Sequence, residues 1–365
     1  TCTHTQAVTQ AYQILKTRIP AHAAVHETVA AAKGVLPAPS LALVNGVLRA
    51  LARRGSRPLP PAEVDPVRRA AVAFSFPAWL AARWLDRYGV ARAGAMFAAA
   101  GAAPPLTLRV NRLRGGREAL LADLARAGVR AEALATPDAV RVFGGGDPAS
   151  LPGYAEGRWS IQDEAAQRIA GIVAPQAGER ILDWCAAPGG KTTHLAECMG
   201  DEGEVVAHDR LASKLGRVQD NARRLGLRSV RTAARVPAGE RFDRVLVDAP
   251  CSGLGTLRRH AELRFRVAAA DLRRFARLQE RILDRAAQQL RAGGVMVYST
   301  CTTEPEENEA VVRAFLARHS RFRLDSGPGR DAAAAVWKPP GWFRILPDAA
   351  DGPDGMFAAR LIRSS

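Results

Sequence analysis

The chain has 365 residues and carries 52 lysine and arginine residues against 36 acidic ones, which gives a formal net charge of +16. Hydrophobic residues make up 47% and charged residues 24%, as in an ordinary globular protein, and no apolar run reaches the roughly 18 residues of a membrane helix, which excludes a helical membrane protein. The positive charge favours a polyanionic partner such as nucleic acid, although an arginine-rich composition explains part of the excess.

The first part of the chain is predicted to be helical and to lead into a small α/β region. Apolar residues recur at helical spacing over 1–57, prolines cluster over 58–66 as in a linker, and 67–100 returns to an amphipathic helical pattern. The small α/β region is predicted from three segments, namely a strand at 106–111, a helix at 117–127 and a strand at 139–143.

From about residue 175 onward, strands and helices alternate. The apolar segments that predict strands are 181–184, 205–209, 244–248 and 294–299. Alternation of this kind implies a parallel, doubly wound sheet with helices on both faces, so we predict an α/β Rossmann-like domain. Its ligand site is expected at the carboxyl ends of the strands.

A glycine turn follows the first of these strands and reads Asp183-Trp184-Cys185-Ala186-Ala187-Pro188-Gly189-Gly190-Lys191-Thr192. Its small residues allow a ligand to approach the backbone, and the helix that follows favours negative charge at its N-terminus. The spacing is neither that of a P-loop nor that of a dinucleotide-binding motif. Asp209 ends the second strand, where it is either a solvated acid or helix cap, or an acceptor for a ribose diol.

Five cysteines are spread along the chain: Cys2, Cys185, Cys198, Cys251 and Cys301. They form no Cys-x-x-Cys pair and no histidine lies at ligand spacing from them, so we expect no metal and free thiols in a reducing cytoplasm. Cys251 and Cys301 each follow a predicted strand, at the expected ligand edge, and Asp248 precedes Cys251. A buried cysteine is often a small hydrophobe, but two at equivalent strand ends favour chemistry.

Methylation of cytosine at carbon 5 requires such a set of groups. A thiolate adds to carbon 6 so that carbon 5 becomes nucleophilic, a carboxyl group near ring N3 stabilises the addition, and a base removes the carbon-5 proton afterwards. The residues themselves leave open whether Cys251 or Cys301 is the nucleophile.

The motifs taken together resemble the RsmB-type (Fmu/Sun) family of ribosomal RNA cytosine-C5 methyltransferases, over nearly the whole chain. The segments that carry the resemblance are Tyr12–Val25, Val44–Arg49, Leu151–Gly153, Trp159–Glu164, Cys185–Thr192, Asp248–Gly253, Tyr298–Cys301, Pro305–Glu309 and Asp354–Phe357. The resemblance implies a NusB-like helical RNA-binding domain over 1–57, a linker over 58–66, a connecting helical and small α/β region over 67–150, and an S-adenosyl-L-methionine-dependent methyltransferase domain over 151–365.

The resemblance also implies residue roles. Cys301 is the expected nucleophile, Cys251 assists product release, and Asp248 and Lys191 complete the catalytic set. S-adenosyl-L-methionine is expected to bind at Cys185, Ala186, Ala187, Pro188, Gly189, Gly190, Lys191, Asp209 and Asp248. The implied partner is RNA, small-subunit rRNA above all, in the cytoplasm.

Three departures from the family pattern stand out. Ala233, within Thr232-Ala233-Ala234, stands where the family usually has an aspartate that reads the adenine amine. Ala261 stands where the family tends to have proline, and Tyr12–Arg49 resembles only the later helices of the NusB-like domain. Three other functions therefore stay open: a tRNA cytosine-C5 methyltransferase, a methyltransferase that acts on DNA or protein, and a non-catalytic RNA-binding assembly factor.

One arginine-rich segment, 258–291, has two interpretations. Its arginines include Arg264, Arg266, Arg273, Arg274, Arg277, Arg281 and Arg285. They are either a solvated helix face paired with Asp271, Glu280 and Asp284 or a track for RNA phosphates.

Overall fold

The computed structural model describes residues 9, 11–55, 59–61, 65–144, 146–325, 337–338 and 341–365. The described residues divide into two compact units, with the boundary between Ala73 and Phe74. Among them, no helix is long and apolar enough to cross a membrane. The domain boundaries given above stay predictions, and the proposed linker over 58–66 lies partly outside the described residues.

The first unit is helical, as the apolar spacing predicts. Its helices are α1 (residues 11–16), α2 (Ala21–Ala32), α3 (Ala38–Arg54) and α4 (Pro66–Phe74), the last of which reaches the unit boundary. Pro20 and Pro37 stand directly before α2 and α3, with φ angles of −57° and −61°. Proline suits this position because its ring fixes φ near these values. Gly55 ends α3 with a φ of 63°, a conformation that favours glycine.

The second unit begins with a long helical segment, kinked at Gly89 where φ is 73°, and a small antiparallel sheet. The elements are α5 (Ala78–Gly101), β1 (Leu106–Val110), α6 (Arg117–Arg126), β2 (Ala131–Ala133), β3 (Ala139–Val142) and β4 (Trp159–Ile161). The strand order is β2-β3-β1-β4, with β1 antiparallel to both β3 and β4. β1, α6 and β3 match the predicted segments, whereas β2 and β4 are short strands that the sequence pattern does not reveal.

The large sheet carries the rest of the chain. Its strands are β5 (Arg180–Asp183), β6 (Glu204–His208), β7 (Val230–Ala233), β8 (Phe242–Asp248), β9 (Leu290–Thr300), β10 (Phe322–Leu324), β11 (Trp337–Lys338), β12 (Trp342–Ile345) and β13 (Met356–Arg363). The helices are α7 (Glu164–Val173), α8 (Gly190–Cys198), α9 (Leu215–Leu225), α10 (Leu263–Arg266), α11 (Ala269–Ala287) and α12 (Glu309–Arg318). The strand order is β11-β12-β13-β9-β8-β5-β6-β7, and β10 pairs with β13.

Helices cover both faces of this sheet, which confirms the doubly wound α/β fold. On one face, Leu182 and Val206 pack in a core with Leu283 of α11; on the other, their neighbours Ile181 and Val205 pack in a second core with α7, α8 and α9. Alternate residues of a strand point to opposite faces, so the continuous apolar runs follow from burial on both sides.

The sheet is parallel from β9 through β8, β5 and β6 to β7, and antiparallel beyond β9. β13 lies beside β9 in antiparallel register, with Phe357 opposite Thr300 and Ala359 opposite Tyr298. The sequence pattern does not predict this extension. The parallel strands end at one edge, at Asp183, His208, Ala233, Asp248 and Thr300.

Candidate active site

The glycine turn links β5 to α8 and requires a glycine at position 189. Gly189 has a φ of 104°, and a Cβ atom there would lie 3.0 Å from the Cα atom of Val218 in α9. The turn is closed by a hydrogen bond from Gly189 N to the Ala186 carbonyl at 2.7 Å, and Ala186 N donates to the His208 carbonyl at 2.9 Å. The turn is therefore packed against α9 and fixed to the end of β6.

Asp209 lies directly beside this turn. One of its carboxylate oxygens accepts from Ala187 N at 3.4 Å and the other from Leu211 N at 2.9 Å. The residue is only partly buried, and a carboxylate can accept more hydrogen bonds than these two. A carboxylate beside a small-residue turn suits a ligand that bears a ribose diol, which fits the nucleoside part of S-adenosyl-L-methionine.

Ala233 ends β7 on the same edge and is nearly buried, at 8% exposure. Its carbonyl lies 2.9 Å from Nδ1 of His208, whose ring packs edge-on against Trp184 with the ring centroids 4.9 Å apart. This position therefore lies one strand beyond Asp209, at the expected adenine end of the cofactor site.

Lys191 and Asp248 form an ion pair at the centre of the edge. Lys191 Nζ lies 2.7 Å from Asp248 Oδ2, and the other carboxylate oxygen accepts from Ser299 Oγ at 2.8 Å. Burial alone would lower the pKa of Lys191, but Asp248 and the nearby Cys301 raise it above its ordinary value. Lys191 thus stays protonated and stabilises negative charge on its neighbours.

The two cysteines that follow β8 and β9 face each other across the site. Cys251 Sγ and Cys301 Sγ are 3.5 Å apart, and both thiols are free. The hydrogen bond to Cys301, followed by burial, raises the pKa of Cys251 well above its ordinary value. Cys251 is therefore a thiol that keeps its proton while its sulfur lies beside that of Cys301.

A buried carboxylate holds the two cysteine loops together. Glu307 accepts a hydrogen bond from Ser252 N at 2.8 Å, one from Ser252 Oγ, and one from Gln279 Nε2 of α11 at 3.0 Å. Ser252 Oγ also lies 2.8 Å from Thr302 Oγ1. Since Ser252 follows Cys251 and Thr302 follows Cys301, this network fixes the distance between the thiols.

Helix α5 supports the loop after Cys301 from outside. Glu304 in this loop is fully buried, accepts from Trp84 Nε1 at 3.1 Å, and pairs with Arg83 and with Arg87. A buried carboxylate needs such partners because its desolvation is costly. The loop after Cys301 is therefore held by a helix more than 200 residues earlier in the chain.

Arg109 of β1 is fully buried and connects the small sheet to the cofactor turn. Its guanidinium donates to the two carboxylate oxygens of Glu197 at 3.1 and 2.7 Å and to the Gly190 carbonyl at 2.6 Å. Two further bonds go to Gln162 Oε1 at 2.6 Å and to Thr193 Oγ1 at 3.1 Å. Burial raises the pKa of Glu197, an effect that Arg109 opposes.

Asp183 lies below the turn and is shielded from solvent. It accepts a hydrogen bond from Thr192 Oγ1 at 2.7 Å, and burial raises its pKa to about 7. Burial also raises the pKa of the adjacent Cys185, so this thiol is not a nucleophile.

The start of the arginine-rich segment is structural. Arg258 Nε lies 2.6 Å from Asp354, and Arg259 bridges Asp354 and Asp163 at 2.5 and 3.1 Å. Arg264 is buried and donates to backbone carbonyl groups. The guanidinium groups of these three arginines are thus bound to other parts of the protein, so they do not form part of a phosphate track.

The structure brings all the predicted site residues to one sheet edge, while three supporting residues escape sequence reasoning. Arg109, Glu304 and Glu307 are fully buried charges that hold the site from behind. Glu307 stands within the motif Pro305–Glu309, so the sequence marks its position but not its supporting role. Arg109 stands in an ordinary strand pattern, and only its burial reveals its role.

Three sequence families match the chain. The family described as 16S rRNA methyltransferase RsmB/F matches residues 170–362, an RsmF/B-like ferredoxin-like domain matches 76–147, and the NusB family matches 8–53. The last match confirms the expected NusB-like domain near the N-terminus.

Two named relatives align with nearly all of this chain. Ribosomal RNA small subunit methyltransferase B of Citrobacter koseri is 40% identical over 359 residues, which are 96% of this chain and 80% of the relative. The protein of the same name from Pseudomonas putida is 41% identical over 360 residues, with the same coverage of both chains.

A solved structure supports the same fold. A methyltransferase homolog protein from Pyrococcus horikoshii aligns with a TM-score of 0.69 at 25% identity, covering 82% of this chain and 99% of its own.

Proposed function

Because the chain belongs to the RsmB/F family of 16S rRNA methyltransferases, which are S-adenosyl-L-methionine-dependent, we propose that it methylates carbon 5 of a cytosine in small-subunit rRNA. The reaction proceeds through a covalent bond between Cys301 and carbon 6 of the base. The observation that carries this proposal is the pair of free thiols 3.5 Å apart, one of them beside the Lys191–Asp248 ion pair.

The first step is the addition of Cys301 to the base. The thiolate of Cys301, stabilised by the charge of Lys191, forms a bond to carbon 6, and the electron pair moves toward N3. Asp248 contacts N3 and the exocyclic amine, and N3 takes up a proton that Lys191 passes on through Asp248, with which it is paired. This proton neutralises the charge that develops on the ring, and it returns by the same route when the ring double bond is restored. Carbon 5 then has the character of an enamine and can take a methyl group.

The cofactor supplies the electrophilic methyl group when it is bound. The turn from Cys185 to Lys191 would hold it at the N-terminus of α8, and Asp209 would accept hydrogen bonds from its ribose hydroxyl groups. The second oxygen of Asp248 is held by Ser299, so this carboxylate keeps a fixed orientation toward the reacting centre.

Cys251 acts in the last step. Once Cys301 is bound to carbon 6, the thiol hydrogen bond that is the main cause of the raised pKa of Cys251 is lost. Cys251 can then release its proton to solvent and take the proton from carbon 5. The electron pair of that carbon–hydrogen bond restores the ring double bond, and the bond from carbon 6 to Cys301 breaks.

The test compares two variants at matched positions. Cys301→Ala is expected to abolish methylation, since no bond to carbon 6 can form, while the fold is kept. Cys251→Ala is expected to accumulate a protein–RNA adduct that survives a denaturing gel, because addition proceeds and elimination is slowed. An adduct with Cys301→Ala and none with Cys251→Ala would mean that the two roles are reversed, and full activity of Cys301→Ala would refute the covalent mechanism.

A methylation map of total RNA at nucleotide resolution tests the substrate. Cells with and without the protein should differ in the methylation of one cytosine of small-subunit rRNA. We expect the protein to act on this RNA in the cytoplasm. A difference confined to tRNA would support the tRNA methyltransferase instead. Ala233 is the one observation that favours a non-catalytic RNA-binding factor, and the absence of any difference in the map would support that alternative.

A further inference from the structure

Helix α11 carries a row of exposed arginines that the site described above does not use. Arg273, Arg277, Arg281 and Arg285 follow one another at intervals of four residues, and all four are exposed. Residues at this spacing lie on one side of a helix, here away from the buried face that includes Leu283. With a rise of about 1.5 Å per residue, the row is roughly 18 Å long.

The acidic residues of α11 do not neutralise this row. Asp271 pairs with Arg274 at 3.0 Å, whereas Glu280 and Asp284 both pair with Arg318 of α12, at 2.8 and 3.2 Å. Within the described part of the chain, the four arginines of the row make no ion pair and no side-chain hydrogen bond. The row is thus a solvated helix face, as one of the two interpretations has it, but its expected pairing with Asp271, Glu280 and Asp284 is wrong.

Such a row is unfavourable for an isolated helix. Like charges four residues apart repel each other, and the row contains three such neighbouring pairs. Carboxylates paired with these arginines would reduce the repulsion, but Glu280 and Asp284 pair with Arg318 of α12 instead. A polyanion bound along the row would turn this repulsion into attraction.

Positive charge continues beyond the end of α11. A groove of about 510 Å³ there is lined by Asp284, Ala287 and Gln288, together with Arg241, Arg318, Arg321 and Arg363. Arg241 and Arg321 are exposed and have no carboxylate partner among the described residues. The groove adjoins the C-terminal end of the helix that carries the row, so positive charge lies along α11 and past its end.

We propose that the row on α11 and the groove at its end bind the phosphate backbone of the substrate RNA, away from the target cytosine. This inference rests on RNA being the substrate, as proposed above. Arginine forks suit phosphate oxygens, and the row offers several in succession along one line. The surface contributes affinity and register, while the choice of cytosine is made at the catalytic edge.

The experiment measures binding of a short unstructured RNA oligonucleotide over a series of salt concentrations. The test variant is Arg273→Gln/Arg277→Gln/Arg281→Gln. Each lost phosphate contact reduces the log–log salt slope for single strands by about 0.7, so the slope should become shallower by about 2. At about 0.1 M salt this corresponds to roughly a hundredfold weaker binding.

A matched control removes the same charge elsewhere. Arg126, Arg223 and Arg228 are exposed, and each has an acid within 4.0 Å: Asp123, Asp220 and Asp201 respectively. Arg223 belongs to α9, which covers the opposite face of the sheet from α11. The control variant Arg126→Gln/Arg223→Gln/Arg228→Gln should keep the wild-type slope to within about half a contact.

Two results would overturn the proposal. One is an unchanged slope in the α11 variant, and the other is an equal loss in both variants, which would make the effect a matter of net charge. Affinity for S-adenosyl-L-methionine, unchanged in both variants, shows that the fold is intact. Because binding is measured without turnover, a failure of the covalent mechanism would show in the cysteine variants and leave this measurement unaffected.

Discussion

Replacement of Arg109 by methionine removes the cation of a buried ion pair. The side chain of Arg109 is completely buried and that of Glu197 is 2% exposed, so neither charge is solvated by water. Methionine has a similar length and no charge, and it leaves the carboxylate of Glu197 without a counter-ion. The loss of one partner from a buried pair costs about 3–5 kcal/mol.

The loss should be visible in thermal and chemical unfolding. For a unit of this size, about 3–5 kcal/mol corresponds to a fall in melting temperature on the order of 10 °C. The deficit should also depend on pH. Burial already raises the pKa of Glu197, and without Arg109 the pKa rises further. The cost is then small below about pH 4.5, where the carboxyl is protonated in both states, and grows as the pH rises.

A double variant separates stability from function. Arg109→Met/Glu197→Leu removes both charges and should recover at least half of the lost stability, since an apolar pair tolerates burial well. It does not restore the donor to the Gly190 carbonyl, so affinity for S-adenosyl-L-methionine, measured by calorimetry, should remain reduced. A single variant that loses less than about 1 kcal/mol, or a double variant with full cofactor affinity, would refute the reasoning.

Two further predictions concern the same sheet edge. Ala233→Asp should tighten cofactor binding several-fold in calorimetry, because one added hydrogen bond to the adenine amine is worth about 1 kcal/mol, whereas Asp209→Ala should weaken binding more; unchanged or lower affinity in Ala233→Asp would show that another group reads the adenine. Asp183→Asn should raise the free energy of unfolding above neutral pH, by up to about 4 kcal/mol. The pKa of Asp183 is raised to about 7 in the folded protein, so ionisation of this carboxyl group costs the wild type stability as the pH rises from the unfolded pKa through 7, and asparagine does not ionise. A difference in stability that is flat between about pH 4 and 8 would contradict this.

The central sheet could be predicted because burial on both faces leaves a clear sequence signal. The apolar runs at β5, β6, β8 and β9 mark their strands, and the residues after them mark the ligand edge. β7 carries no such run, since Val230–Ala233 is the last strand in the order of the sheet and only Ala233 in it is buried. The antiparallel strand β13 depends on pairing with a distant strand, which local pattern does not encode.

Some residues of the site could be predicted from the strand pattern, and others could not. Residues that meet the ligand follow strands directly, so their positions along the chain already place them together. The residues that hold them, such as Arg109 and Glu304, act through contacts with segments far away in the sequence. Charged residues are expected on the surface, and only the packing of α5 and the small sheet against the catalytic region shows that these are buried.

The place of β9 between β8 and β13 has a consequence for biosynthesis. Synthesis proceeds from the N-terminus, so β9, which ends beside Cys301, is made well before Met356–Arg363, the segment that pairs with it. Until that segment leaves the ribosome, β9 has one row of unpaired backbone N–H and C=O groups, and exposed edges of this kind promote aggregation. A nascent chain stalled before Met356 would therefore carry Cys251 and Cys301 next to a strand with an open edge, which exposes such a chain to aggregation.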